Sequence, residues 1–96
     1  ALFCYNDLVA LGALRQCAAS GRRVPADIAV TGFDDIMLAA VVSPALTTCH
    51  VPRSEIGSRA ASMLLDCIDD GLDTCGEIVI KPQLVIREST VADKQL

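Results

Sequence analysis

Two short apolar runs in this chain end abruptly in acid and amide. Leu2-Phe3-Cys4-Tyr5 runs into Asn6-Asp7, and Ile28-Ala29-Val30-Thr31 runs into Gly32-Phe33-Asp34-Asp35. Side chains of these types grip hydroxyl groups. A carboxylate accepts two hydroxyl hydrogen bonds at once, charge-assisted bonds are the stronger kind, and an amide both donates and accepts. Catalysis would need more than this. His50 is the single histidine; no Ser-His-Asp or Cys-His order surrounds it, and one histidine cannot make a metal cluster. Asp34-Asp35 and Asp69-Asp70 are paired carboxylates, but adjacent side chains point apart and form no acid/base couple. Asp66, Asp69 and Asp70 read as a solvated helix face. Gly12 and Gly57 fall inside helices, so no glycine-rich phosphate loop follows a strand. The residues therefore predict a binding site with no catalytic residue, no metal and no cofactor.

The tips need elements to position them. Between the two runs, Ala10, Leu11, Ala13, Leu14, Cys17 and Ala18 recur on one face of a helix from about Leu8 to Ala19, stopped by Ser20-Gly21. The runs then read as parallel strands of one βαβ unit, Leu2 to Tyr5 and Ile28 to Gly32, fed by the Arg22–Asp27 turn. Ligands of open α/β sheets bind outside the carboxyl ends of the strands, which puts both polar tips at one sheet edge. Beyond them the pattern predicts a short helical segment, Ile36 to Val42, ended by Ser43-Pro44. A β-branched third strand follows, Leu46 to Val51. An amphipathic helix near Ser54 to Asp70 carries Ile56, Ala60, Met63, Leu64, Cys67 and Ile68 on its apolar face. Two last strands, Glu77 to Ile80 and Leu84 to Arg87, flank Lys81-Pro82, and the polar tail after Thr90 is expected to fray.

Composition narrows the class. At 52% hydrophobic and 3% aromatic, the 96 residues draw their core from aliphatic side chains. A chain of this size buries roughly 60–65% of its unfolded surface, and a mean hydropathy of +0.46 predicts that its helices and strands bury surface against absent sequence or another copy. Starting directly on strand residues, the chain reads as a piece of a longer protein. No apolar run approaches the ~20 residues of a membrane span. Net charge is −4, and no basic cluster offers phosphate contacts, so these residues are not expected to bind nucleic acid. Cys4, Cys17, Cys49, Cys67 and Cys75 are odd in number and widely spaced. They read as small buried hydrophobes of a reducing cytoplasm rather than a disulfide framework or zinc site.

Five segments in register carry a family resemblance. Phe3-Cys4-Tyr5-Asn6-Asp7-Leu8-Val9-Ala10-Leu11-Gly12, Val24-Pro25-Ala26-Asp27-Ile28-Ala29-Val30-Thr31-Gly32-Phe33-Asp34-Asp35, Pro44-Ala45-Leu46-Thr47-Thr48, Ile56-Gly57 and Leu84-Val85-Ile86-Arg87-Glu88-Ser89 together resemble LacI/GalR-type bacterial transcription regulators. The resemblance implies an α/β fold, a parallel-sheet βαβ fragment of the two-lobed periplasmic-binding-protein-like (type I) architecture. It places residues 1–49 in the second lobe, 50–80 in a returning segment of the first lobe, and 81–96 in the crossover back and the C-terminal tail. Residues 50–80, parted from their lobe, are expected to pack non-natively or against a second copy.

The same resemblance implies roles. Asp34 matches the position whose carboxylate hydrogen-bonds sugar or purine effectors; capping the next helical segment is its competing role. Asn6 matches a position that touches effector and serves equally as a helix cap, although Asp7 is the better cap candidate. Phe33 could face a sugar ring, though strand alternation favours the core. Arg53 sits at a crossover that faces the cleft in relatives, or is an exposed helix-start arginine. Leu8, Leu11, Met37, Leu38, Val41 and Val42 are apolar without an obvious core role, and relatives dimerise through the equivalent segments, so a homodimer is expected. The implied protein is a cytoplasmic regulator sensing a small-molecule effector, probed here through half a cleft that should bind it weakly. It would meet DNA only through an N-terminal domain outside this chain, and no membrane. The rivals are a periplasmic sugar-binding protein of a transporter, against which five cysteines count, and a small metal-dependent α/β enzyme using Asp34 and Asp7.

Overall fold

A computed structural model describes residues 1–71 and 76–91. Cys75 and the expected fraying beyond residue 91 lie outside the described residues. The elements are β1 (Leu2–Phe3), α1 (Asp7–Ala19), β2 (Val30–Thr31), α2 (Met37–Val41), β3 (Thr48–His50), α3 (Arg53–Asp70) and β4 (Gln83–Val85). The chain forms two units, one of Ala1–Val51 with the segment from Gln83 onward, the other Pro52–Pro82.

In the first unit β1 and β2 pair in parallel, Leu2 with Val30 and Phe3 with Thr31, with α1 as the crossover: the expected βαβ unit. Single parallel bridges, Thr31 to Thr47 and Asp34 to His50, carry the ladder on to β3. β3 pairs antiparallel with β4, Thr48 with Val85 and His50 with Gln83. The core is a cluster of Ala10, Leu14, Val30, Ala39 and Leu46, with Cys4, Leu11, Ala13, Val24 and Val42 packed on it. Leu11 and Val42 thus have a core role, which the helical spacing of Leu11 anticipates and the pattern around Val42 does not. Leu11 lies one residue on from Ala10 and three before Leu14, close enough on the wheel to share their face. The turn before β2 is closed by Asp27, whose Oδ2 accepts from the Arg23 backbone N–H at 2.7 Å and Oδ1 from Arg23 Nη2 at 2.8 Å. The Arg23 bonds hold the Asp27 carboxyl down to about 2.

The last strand stops early, at Val85 rather than Arg87. Arg87 leaves the ladder because its backbone N–H goes to Thr47 Oγ1 at 2.8 Å and its guanidinium reaches the Leu46 carbonyl at 3.0 Å. Two residues on, Ser89 is fully buried and clamps the sheet. Its Oγ donates to the Val30 carbonyl at 2.6 Å and accepts the Thr47 N–H at 2.8 Å. Its backbone receives Val30 N–H at 3.1 Å and donates to Ala45 O at 2.9 Å. The terminal Arg-Glu-Ser motif is therefore what ties β2 to the segment entering β3.

In the second unit, α3 ends at Gly71, whose φ of +65° is the left-handed cap that glycine adopts without cost. Met63 and Cys67 are half-buried on the expected apolar face, but no α3 residue is buried, and Ile56, Leu64 and Ile68 are exposed. Glu77–Ile80, expected as a strand, is irregular. A β-prone run becomes a strand only where another backbone pairs it, and among the described residues none does. Cys67 is disulfide-bonded, which corrects the reading of every cysteine as a free thiol, while Cys4, Cys17 and Cys49 are free. Among the described residues no helix is long and apolar enough to cross a membrane, and no group of three or more His, Cys, Asp or Glu could hold a metal ion.

Candidate functional site

Parallel pairing brings the two polar tips together. Cys4 N–H bonds to Thr31 O at 2.9 Å, Asp7 N–H to Phe33 O at 3.0 Å, and Asp34 N–H to Cys49 O at 3.0 Å. Three chain segments thus finish side by side at one rim, with Asn6, Asp34 and His50 at their ends.

The two residues of the first tip divide the work differently from the sequence expectation. Asn6, not Asp7, caps α1: its extended backbone (φ −151°, ψ 178°) lets Oδ1 accept the Val9 N–H at 2.9 Å. Asp7 falls inside the first turn and is fully buried. Its Oδ1 accepts Thr48 Oγ1–H at 2.6 Å and its Oδ2 the Ile36 N–H at 2.8 Å. One carboxylate thereby joins the starts of α1 and α2 to β3. Gly32 gives it room. A Cβ there would overlap Asp7 Oδ1 and come within 3.1 Å of Asp7 Cα and Leu46 Cδ2.

The second tip holds unusual backbone. Asp34 has φ +112° and Asp35 φ +56°, conformations that L-residues adopt rarely and that cluster at ligand clamps, at a cost of roughly 1–3 kcal/mol each. Asp35 is engaged on both oxygens, Oδ1 by Arg87 Nη2 at 2.8 Å and Oδ2 by His50 Nδ1 at 2.9 Å. Burial pushes its carboxyl up, but the Arg87 and His50 bonds outweigh burial and hold it below the usual carboxylate range.

Phe33 is 39% exposed, so strand alternation misplaced it in the core; the strand has ended by Thr31 and alternation no longer applies. With Phe3 and Tyr5, each 88% exposed, it lines a mostly apolar cavity of about 220 Å³ floored by Gly32, Thr48 and Cys49. Every aromatic side chain of the chain is there, a signal that counting aromatics would have raised and that the sequence reading passed over at Phe3 and Tyr5. Burial and the nearby Cys17 push the Cys4 thiol up, which leaves it an inert wall of this cavity. Arg53, the first residue of α3, belongs to the other unit. A cavity of about 250 Å³ in that unit is bounded by Ile56, Ala60, Met63, Ile78 and Ile80. Its one charged wall residue, Arg59, is paired with Glu55 at 3.0 Å, so it offers less chemistry than the rim. Of the apolar set proposed for an interface, Leu8, Met37, Leu38 and Val41 are exposed.

Residues 1–90 match the periplasmic binding protein-like domain family. The chain is 43% identical over 91 residues to the HTH-type transcriptional repressor PurR of Aliivibrio fischeri (strain MJ11), covering 95% of this chain and 27% of that repressor. Among solved structures it is similar to a LacI family transcriptional regulator from Arthrobacter sp. FB24 in complex with lactose. Identity there is 43% and the TM-score 0.78, over 93% of this chain and 34% of that one. It is also similar to the lac repressor dimer bound to operator and the anti-inducer ONPF, at 36% identity and a TM-score of 0.84, over 94% and 31% of the two chains. The chain thus spans about a quarter of the length of the curated repressor it matches.

Proposed function

This chain belongs to the periplasmic binding protein-like domain family, in its LacI/GalR regulator branch, and we propose that it supplies one wall of the effector site of a cytoplasmic transcriptional regulator. The effector is a small hydroxyl-rich metabolite, a sugar first. One observation carries the reading: Asn6 and Asp34 close neighbouring strands at a single rim, stitched by the 3.0 Å bond from Asp7 N–H to Phe33 O. Asp34 accepts paired hydroxyls, the amide of Asn6 adds a donor, and Phe33 meets the apolar face of a ring. Residues 1–49 and 81–96 are read as parts of the second lobe, and residues 50–80, Arg53 among them, as a returning piece of the other. Effector held between lobes favours one lobe orientation, and a dimer passes that preference to a DNA-binding region elsewhere in the protein. No bond is made or broken, so the protein is not an enzyme.

Calorimetry on the full-length regulator against a panel including lactose, ribose and purine bases tests this. A hydrogen bond to a charged group contributes about 1.5–3 kcal/mol, so losing two through Asp34→Ala should weaken binding by roughly 100-fold or more. An unchanged affinity in that variant, or no binder in the panel, refutes the reading. The isolated 96 residues should bind weakly, because the cavity of about 220 Å³ falls short of the roughly 300–1,000 Å³ of a complete ligand pocket.

The apolar set supports a symmetric dimer, and the similar lac repressor structure is that of a dimer. Met37 is 84% exposed, so Met37→Glu should leave the fold intact and give monomer in analytical ultracentrifugation. It is a cleaner probe than Leu11→Glu, which would also disturb the core. A persistent dimer removes α2 from the interface.

A further inference from the structure

Asp34 and Asp35 hold consecutive positive φ values that their surroundings must impose. The Asp34 N–H is fixed on Cys49 O at 3.0 Å, and the Asp35 N–H points at Thr48 Oγ1 at 3.4 Å. The strongest ties are those of the Asp35 carboxylate, to Arg87 and to His50, with 16% of the Asp35 and 19% of the Arg87 side chain exposed. His50 ends β3, just before the chain leaves this unit after Val51; Arg87 comes just after it resumes at Gln83. Asp35 is therefore bonded to both crossing segments while adjoining the residue assigned to the effector.

We propose that Asp35 is the positioning residue of the rim: with Arg87 and His50 it sets the backbone of Asp34, and the protonation of His50 is transmitted through Asp35 to Asp34. The proposal rests on the effector reading above for its purpose, but not for its geometry. The Arg87 and His50 bonds hold the Asp35 carboxyl below the usual carboxylate range, so it accepts from His50 Nδ1–H, and a second proton on the ring goes to Nε2. Protonation adds a positive charge at an existing bond and leaves its partners in place. Among the described residues of the unit, the charged groups beside His50 are Asp35, bonded to its ring, Asp34, bridged to its backbone, and Arg87 beyond the Asp35 carboxylate; the β4 partner, Gln83, is neutral. Added charge on His50 tightens its hold on Asp35 and with it the turn that carries Asp34.

His50 is the only histidine, so its ring signals in an NMR titration of the chain, from about pH 5 to 8, need no assignment by elimination. The Asp34 amide shift is expected to follow the His50 midpoint. In Asp35→Asn the ring should still titrate while the Asp34 amide stops following. His50→Gln keeps a donor toward Asp35 and should make the Asp34 amide independent of pH in this range. An Asp34 amide that ignores His50 in the parent chain, or follows it equally in Asp35→Asn, overturns the proposal. Should Asp35→Asn not fold, His50→Gln decides alone, and a persisting Asp34 transition in it is fatal. No sugar is added, so a failure here is distinct from a failure of the effector reading.

Discussion

Asp7→Ala is expected to cost the first unit about 2–4 kcal/mol, because two buried donors lose their acceptor and each orphaned group costs about 1–3 kcal/mol. The Thr48 hydroxyl and the Ile36 N–H both end on this carboxylate, at 2.6 and 2.8 Å. Ile36 is the N-cap of α2 and has no capping side chain of its own, so α2 loses its anchor. A small domain has about 5–15 kcal/mol of total stability. With six hydrophobic residues buried among those described, this chain sits near the low end, so the variant keeps only about 1–3 kcal/mol and should unfold at a much lower midpoint. Asp7→Asn should be milder, since its amide oxygen can keep the Ile36 N–H while its N–H₂ donates to the Thr48 hydroxyl, which accepts as well as donates. Urea unfolding followed by circular dichroism measures both. A midpoint for Asp7→Ala equal to that of the parent would mean that the buried carboxylate is bystander rather than anchor.

Asp7 also marks where sequence reasoning stops. Local features were readable because their causes are local. The period of α1, the stop at Ser20-Gly21, the end of α3 at Gly71 and the parallel pairing implied by a helical crossover each depend on neighbours within a turn or two. The acid and amide rim was readable for the same reason. Choosing which of Asn6 and Asp7 caps the helix was not. Both side chains suit the cap, and the choice turns on Thr48 and Ile36, 41 and 29 positions away. Ser89 is similar: its hydroxyl meets Thr47 and Val30, 42 and 59 positions off. The family resemblance marked the Arg-Glu-Ser stretch without saying what it holds. The last strand was overextended because a side chain outcompeted the ladder there, Thr47 Oγ1 taking the Arg87 N–H. Glu77–Ile80 had the composition of a strand and found no pairing backbone among the described residues.

Gly32→Ala is expected to lose roughly 2–4 kcal/mol, from overpacking of about 1–3 kcal/mol and from the Asp7 bonds that the new methyl displaces. Backbone freedom is not the reason. The glycines with positive φ are Gly21 and Gly71, so alanine is conformationally allowed at 32. By unfolded-state entropy alone it would stabilise by about 0.4–1 kcal/mol. The sign of the effect therefore identifies its cause. A double-mutant cycle sharpens it further, because the nearest atom to the added Cβ is Asp7 Oδ1, which Asp7→Ala removes. What then remains is the approach to Asp7 Cα and Leu46 Cδ2 at 3.1 Å, which small shifts relieve. In the Asp7→Ala background Gly32→Ala should cost less than half of what it costs in the parent, and the two single losses should exceed the double loss by about 1 kcal/mol or more. Where the Asp7→Ala background is too unstable to measure, an added osmolyte raises both arms of the cycle equally. Strict additivity would show that the glycine serves some other neighbour, and that the first tip is not built around the Asp7 carboxylate.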